Sequence, residues 1–463
     1  TNPSIFKAYD IRGVYGTDLT DETAYRLGKA FGQFLKKQNP EKENLRIVVG
    51  RDMRESGVQL EGELIKGLNS EGVSVVQIGL TSTPMMYYAV LEYETDGGVS
   101  VTASHNPGEY NGFKLVGKLA KPISGGTGVY EMRDMVMEDN ILEGEDISST
   151  VANEEKTDTL DTYIESILKY RDPSVEIPAM KVVVDSANGM ASPAIDAFFK
   201  HFPQLEVTHL YPELDGSFPN HEANPLKEDT LVALKKEIAE QGADLGIACD
   251  GDFDRVAFVD NEGNTIRADI TTALLAPKFL ATRPGETVLY DLRSSNITPE
   301  TIKKAGGVAH MCRVGHSFIK AQMREQESFF SGEFSGHFYL QMEKDGEYAY
   351  FENPLFVVIK ILEVLAGTDA TLADLTRDLF VYTHSGEINF EVSRDKEEII
   401  QEIKETLIGG KLTEIDGVRI DFEDSWVSVR ASNTEPVLRL IIEGKTPEAM
   451  ESLKSKVQAM IEG

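Results

Sequence analysis

Three stretches of the chain share one design, and that design limits the fold more than any other feature. "LRIVVGRD" (45–52), "MKVVVDSANG" (180–189) and "ETVLYDLRSS" (286–295) each start beside a polar residue, run apolar, and end in Asp and a polar loop. Segments of helical period at 21–38, 56–71, 228–241, 316–326 and 352–366 alternate with such β-branched runs. This is the pattern of α/β units built on parallel or mixed sheets. The spacing of about 100–135 residues suits a repeated α/β domain, since solenoid repeats are about 20–50 long. Polar stretches at 143–158, after "DGDFDRVAFVDNEGN", and at "LAGTDATLAD" (365–374) mark boundaries, the last reading as a hinge near Gly367. The expected division is 1–155, 156–256, 257–368 and 369–463. Beyond the hinge, "GEINFEVS", a charged helix at 395–408, "SWVSVRAS", "VLRLIIEG" and a final helix describe a smaller α+β domain.

Composition narrows the function. Asp and Glu outnumber Lys and Arg by 77 to 46, a net charge of -31, so nucleic acid and anionic lipid are repelled at long range. An anionic substrate must therefore be caught by clustered Arg, Lys and backbone N–H groups. Cys249 and Cys312 are too few for a disulfide framework and suggest a reducing compartment. With no apolar leader or long apolar span, the expected setting is cytoplasmic, without a membrane partner, as a monomer or small homo-oligomer. The initial Thr1 suggests processing or trimming.

Four loops carry chemistry. In "DLGIACDGDFDRVAFVD" (244–260) a strand runs into Asp250, Asp252 and Asp254, which can converge on Mg²⁺ or Ca²⁺. An EF-hand is excluded, because Arg255 stands where Gly is needed and Asn261 where a bidentate Glu belongs. The rival reading is a solvated acidic turn. In "VTASHNPGEYNGFK" (101–114) Ser104 falls on a loop past a strand end, with Lys114 beyond it. No GxSxG elbow surrounds this serine, and the adjacent His105 is expected to point elsewhere. Phosphorylated, Ser104 would bring oxygens to a metal; unmodified, it is a turn residue. "FSGEFSGHFYL" (330–340) offers Glu333, Ser335 and His337, a donor–acceptor mix suited to neighbouring sugar hydroxyls, or a plain glycine loop. "RASNTEP" (430–436) offers Arg430, Ser432, Asn433 and Thr434, suited to a phosphate or to an ordinary hairpin. "AYDIRG" and "VGHSFIK" add Arg12, His316 and Lys320 to the positive groups that a doubly phosphorylated ligand requires.

In this order, "TASHNP", "DGDFDR", "GEFSGH" and "RASNTEP" closely resemble the four signature loops of the α-D-phosphohexomutase superfamily, and "FKAYDIRG" and "VGHSFIK" match as well. The form of "GEFSGH" resembles the bacterial and archaeal phosphomannomutase/phosphoglucomutase branch. The resemblance implies three similar mixed-sheet α/β domains and a smaller C-terminal α+β domain around a central cleft. It implies interconversion of hexose 6-phosphate and 1-phosphate, of mannose or glucose, through a phosphoserine at Ser104 and a hexose 1,6-bisphosphate that serves as intermediate and activator. Asp250, Asp252 and Asp254 would bind Mg²⁺ with an oxygen of that phosphoryl group. Glu333, Ser335 and His337 would hold the sugar, and Arg430, Ser432, Asn433 and Thr434 the phosphate not being transferred. Arg12, Lys114, Arg255 and His316 would line the cleft, with His316, His337 and Lys114 as candidate proton carriers. The rival activities are a Mg²⁺-dependent sugar-phosphate phosphohydrolase and a non-catalytic sugar-phosphate or Ca²⁺ sensor.

Overall fold

Ile47, Val48 and Val49 are fully buried, and strand Arg46–Arg51 accordingly sits inside a sheet. It runs parallel to Ser74–Leu80 on one side and Gly97–Val101 on the other, and Gly97–Val101 pairs antiparallel with Tyr110–Gly117. Ile11–Val14 closes that edge in antiparallel register, with Arg12 opposite Gly112. The second repeat has the same plan: Lys181–Asp185 lies parallel to Glu206–Leu210 and Leu245–Cys249, and Leu245–Cys249 pairs antiparallel with Val256–Asp260. The third repeat begins likewise, with Thr287–Asp291 parallel to Val308–Cys312 and Phe330–Gly332. In each repeat the predicted apolar run is the strand flanked by two parallel neighbours.

These coordinates are a computed structural model that describes residues 1–142, 154–432 and 437–463; residues 143–153, most of the first expected boundary, lie outside them. The chain divides into two compact units. One comprises Thr1–Ile266 and Ser335–Leu372, the other Arg267–Phe334 and Ala373–Gly463. The first unit therefore carries two full repeats, the antiparallel hairpin Phe338–Lys344/Glu347–Glu352 and the buried helix Pro354–Ala366. The second carries the parallel strands of the third repeat and the C-terminal domain. In that domain Val437–Gly444, Ser425–Ala431, Val418–Asp421 and Lys411–Thr413 form an antiparallel sheet. Helices Lys396–Thr406 and Pro447–Glu462 cover it through Ile399, Ile403, Val457 and Ile461. The fold is thus α/β repeats followed by a smaller α+β domain, as the sequence pattern required. Among the described residues, no helix is long and apolar enough to cross a membrane.

Helix Asp21–Gln38 starts at Thr20, whose side chain accepts the Thr23 N–H, with acids in its first turn and lysines in its last. It crosses helix Glu55–Ser70 at two glycines. A Cβ on Gly67 would stand 2.1 Å from the Tyr25 carbonyl oxygen, and one on Gly28 would stand 2.2 Å from that of Leu64. Backbone meets backbone there, so neither contact has a flexible side chain that could give way. Gly67→Ala is expected to lower stability by about 1–3 kcal/mol, the overpacking outweighing roughly 1 kcal/mol gained in helix propensity. A urea midpoint equal to or above that of the parent would refute the close crossing.

Candidate active site

The serine loop follows directly from strand Gly97–Val101. Thr102 Oγ1 accepts the Ser104 N–H at 2.9 Å, and Ser104 adopts φ +53° while only 1% exposed. Holding a non-glycine residue in this left-handed region costs about 1–3 kcal/mol, a strain that collects at functional positions. The strained backbone aims the hydroxyl at two partners, Asp250 Oδ2 at 3.3 Å and His105 Nδ1 at 3.2 Å. Contrary to the expectation that it points elsewhere, His105 folds back onto its neighbour. Burial, then Arg255 and Arg12, hold its pKa well below the usual imidazole value, so the ring is neutral near pH 7.

Strand Leu245–Cys249 delivers Asp250, and a tight turn returns the chain to strand Val256–Asp260. Within the turn Asp250 Oδ1 accepts the backbone N–H groups of Asp254 and Arg255 at 3.0 and 3.1 Å. The carboxylates of Asp250, Asp252 and Asp254 are buried and offer oxygens that all lie within 4.8 Å of one another. Lys114 Nζ approaches Asp252 Oδ2 and Asp254 Oδ2, each at 2.6 Å. Lys114 thus meets two of the three carboxylates directly, and the third, on Asp250, has Arg255 Nε only at 3.8 Å. Burial, Asp254 and Asp252 push the Asp250 carboxyl well above its usual range. Asp254, although burial opposes its charge, is held well below that range by Lys114 and His337. Among the described residues, Asp252 Oδ1 and Asp254 Oδ1 accept no hydrogen bond, the latter having His337 Nε2 at 3.3 Å. Buried oxygens without donors, on hard anionic ligands, fit a divalent cation such as Mg²⁺.

Cationic groups surround the pair of loops. Arg12 donates to Asp10 Oδ2 at 2.8 Å, Asn106 Oδ1 at 2.7 Å and the Ala103 carbonyl at 3.3 Å, so it braces both ends of the serine turn. Arg255 Nε lies 3.3 Å from His337 Nε2 and 3.8 Å from Asp250 Oδ2. Ser335 Oγ and His337 Nδ1 are 2.8 Å apart, and the Gly336 carbonyl accepts the Val256 N–H at 3.0 Å, which ties this loop to the aspartate turn.

The second unit holds the remaining predicted residues. Glu333 Oε1 accepts from Arg293 Nη2 at 3.2 Å and from the Gly315 N–H at 3.1 Å. His316 opens helix His316–Glu325, and Lys320 is fully buried one turn on. Arg430 Nη2 meets Glu387 Oε2 at 2.8 Å, while Arg439 and Arg293 approach the same carboxylate at 3.2 and 3.7 Å. Burial raises the Glu387 pKa, but the arginines outweigh it and the net direction is down. The Ser432 N–H bonds the Val437 carbonyl, whereas Asn433 and Thr434 lie outside the described residues. Sequence reading missed Arg293 and Glu387. The first lies two residues past strand Thr287–Asp291, within the stretch "ETVLYDLRSS" already singled out; the second had no signal beyond a Gly-Glu pair.

A serine hydroxyl beside a buried carboxylate triad, on α/β repeats, is an arrangement suited to phosphoryl transfer. Family models described as phosphoglucomutase/phosphomannomutase alpha/beta/alpha domains I, II and III match residues 3–127, 161–263 and 267–382. The C-terminal domain model of the same family matches 387–460. A phosphomannomutase of Vibrio cholerae is 37% identical over 464 residues, covering 98% of this chain and 97% of the relative. A phosphomannomutase/phosphoglucomutase of Pseudomonas putida is also 37% identical, covering 97% and 94%. The crystal structure of a phosphoglucomutase/phosphomannomutase family protein from Burkholderia thailandensis superposes with a TM-score of 0.88 at 31% identity, covering 99% and 97%. The chain belongs to the phosphoglucomutase/phosphomannomutase family, and its activity is that of a hexose-phosphate mutase.

Proposed function

We propose that the chain interconverts the 6- and 1-phosphates of mannose and glucose, with Ser104 as the phosphoryl carrier and a hexose 1,6-bisphosphate as intermediate. The observation that supports this most is the Ser104 hydroxyl, buried, strained and 3.3 Å from Asp250 Oδ2. Asp250, Asp252 and Asp254 would hold Mg²⁺ beside the phosphorylated serine. Such an ion would supply charge neutralisation for the transferring group. In transfer to the sugar the Oγ–P bond breaks, the sugar oxygen gains the phosphoryl group and gives up its hydroxyl proton, and Ser104 Oγ takes up a proton to become a hydroxyl again. Lys114, His316 and His337 are the candidate carriers of that proton. After the sugar turns round, the opposite phosphate returns to Ser104 by the same steps reversed. Arg12, Lys114 and Arg255 spread charge over a loose transition state, and positioning does most of the remaining work.

Glu333, Ser335 and His337 hold the sugar; Arg430, Ser432, Asn433 and Thr434 clasp the phosphate at rest. A sugar bound in two orientations is best gripped by the equatorial 3- and 4-hydroxyls, which exchange places on turning. The 2-hydroxyl, where mannose and glucose differ, maps onto no equivalent site. Both 1-phosphates are therefore expected to turn over with efficiencies within about tenfold of each other. A coupled assay with each sugar, with and without trace 1,6-bisphosphate, tests this, and strict rejection of either sugar would contradict it. Intact mass should show a phosphoryl increment of about 80 Da on Ser104. Steady release of inorganic phosphate without isomerisation would identify a phosphohydrolase instead.

A further inference from the structure

We propose that Arg54 is a positioning residue that sets the geometry of the Ser104 loop. The inference rests on the reading of Ser104 as phosphoryl carrier. Arg54 follows strand Arg46–Arg51, is 1% exposed, and reaches under the serine loop. Its guanidinium has five N–H groups, and each has an acceptor. Nε donates to Asp52 Oδ2 at 3.1 Å. Nη1 donates to the carbonyls of Pro107 at 2.6 Å and Tyr110 at 2.8 Å. Nη2 donates to those of Ser104 at 3.0 Å and Asn106 at 2.6 Å. Four carbonyls of one turn thus point inward at a single cation.

Such convergence of backbone oxygens repels itself unless a group with several fixed donors fills the centre. Planar guanidinium does this; a lysine ammonium, with three donors at one point, cannot span four carbonyls and a carboxylate. Asp52 completes the anchor, since its Oδ1 accepts the Arg54 N–H at 3.0 Å and its own N–H bonds the Val101 carbonyl at 3.0 Å.

The Ser104 carbonyl is confined from a second side as well. A Cβ on Gly251, between the first two metal-binding aspartates, would stand 2.5 Å from that oxygen. Arg54 on one side and the aspartate turn on the other therefore pin the residue whose hydroxyl must reach Asp250. Behind Arg54, the Phe218 ring lies 5.2 Å from the guanidinium carbon, and a Cβ on Gly216 would come within 2.7 Å of the Arg54 Cα. The second repeat thereby buttresses the loop of the first.

The test compares wild type, Arg54→Lys and Gly216→Ala in kcat, KM, thermal midpoint, and the rate at which glucose 1,6-bisphosphate adds mass to Ser104. Arg54→Lys is expected to lower kcat and the phosphorylation rate together by about 100-fold, the size of effect a 1 Å misplacement produces. KM should stay within about threefold, because the sugar and phosphate grips are untouched. Gly216→Ala, which pushes Arg54 from behind, should lower both rates by about tenfold in a protein that folds. Hydrogen exchange over 102–110 should quicken in both variants. The proposal is overturned if folded Arg54→Lys keeps kcat within twofold of wild type. If Arg54→Lys does not fold, unchanged kcat in Gly216→Ala overturns it. If wild type itself takes no phosphoryl group, the carrier reading fails. Exchange then decides on Arg54 alone, unchanged protection refuting its hold on the loop.

Discussion

Ser104→Ala should lose mutase turnover by on the order of 10⁴–10⁶-fold, the scale seen when a covalent carrier is removed, while its thermal midpoint stays within a few degrees of the parent. The physical reason lies in what the substitution leaves in place. The backbone N–H still bonds Thr102 Oγ1, the Ser104 carbonyl still accepts from Arg54, and alanine fills the same volume up to Cβ. What disappears is a hydroxyl with two long contacts, to Asp250 and His105, at 3.3 and 3.2 Å. Packing and backbone thus survive, and only the atom proposed to carry the phosphoryl group is lost. Sugar-phosphate binding, followed by calorimetry, should persist within about threefold, and no phosphoryl mass should appear after incubation with 1,6-bisphosphate. Activity near that of the parent would refute the carrier assignment outright.

Asp252→Asn should remove Mg²⁺-dependent transfer, with a loss of about 10³-fold or more at ordinary Mg²⁺ concentrations. Asp252 presents two different oxygens to the cluster: its Oδ2 accepts from Lys114 and Thr83, and its Oδ1 is buried with no donor among the described residues. An amide at this position is neutral and turns either its oxygen or its NH₂ toward Lys114, 2.6 Å away in the parent. It cannot satisfy the ammonium and a hard cation together. Thermal unfolding gives an independent readout. Mg²⁺ at 100 times its Kd stabilises a protein that binds it only when folded by about 2.7 kcal/mol. The parent should show that shift and the variant should not. An equal shift in both would place the metal elsewhere.

The parts of the molecule legible in the sequence were those encoded over a few residues. Helix Asp21–Gln38 matches its predicted span because period, Thr20 cap and terminal charges coincide. Strands Lys181–Asp185 and Thr287–Asp291 lie where the apolar runs were read. Asp250, Asp252 and Asp254 were expected to converge and do, because a strand, a turn and a returning strand force side chains at i, i+2 and i+4 into one space.

Groups that meet across long separations were not legible. Lys114 reaches Asp252 and Asp254 only because strand Tyr110–Gly117, paired between Ile11–Val14 and Gly97–Val101 in the first repeat, lies beside the aspartate turn of the second. Arg54 carried no motif, and its partners, the carbonyls of Ser104, Asn106, Pro107 and Tyr110, are invisible to any reading of side chains. The turn of His105 toward Ser104 depends on a backbone φ of +53°, which no residue preference dictates for serine. By itself the sequence determined the repeated α/β plan, the place of the serine loop at a strand end and the acidity of the aspartate turn, since each follows from short-range periodicity or spacing. Only the tertiary structure decided which cation neutralises which carboxylate and which guanidinium fills the serine loop, because those choices are made by burial, which requires every charge and backbone oxygen removed from water to find its partner wherever in the chain that partner lies.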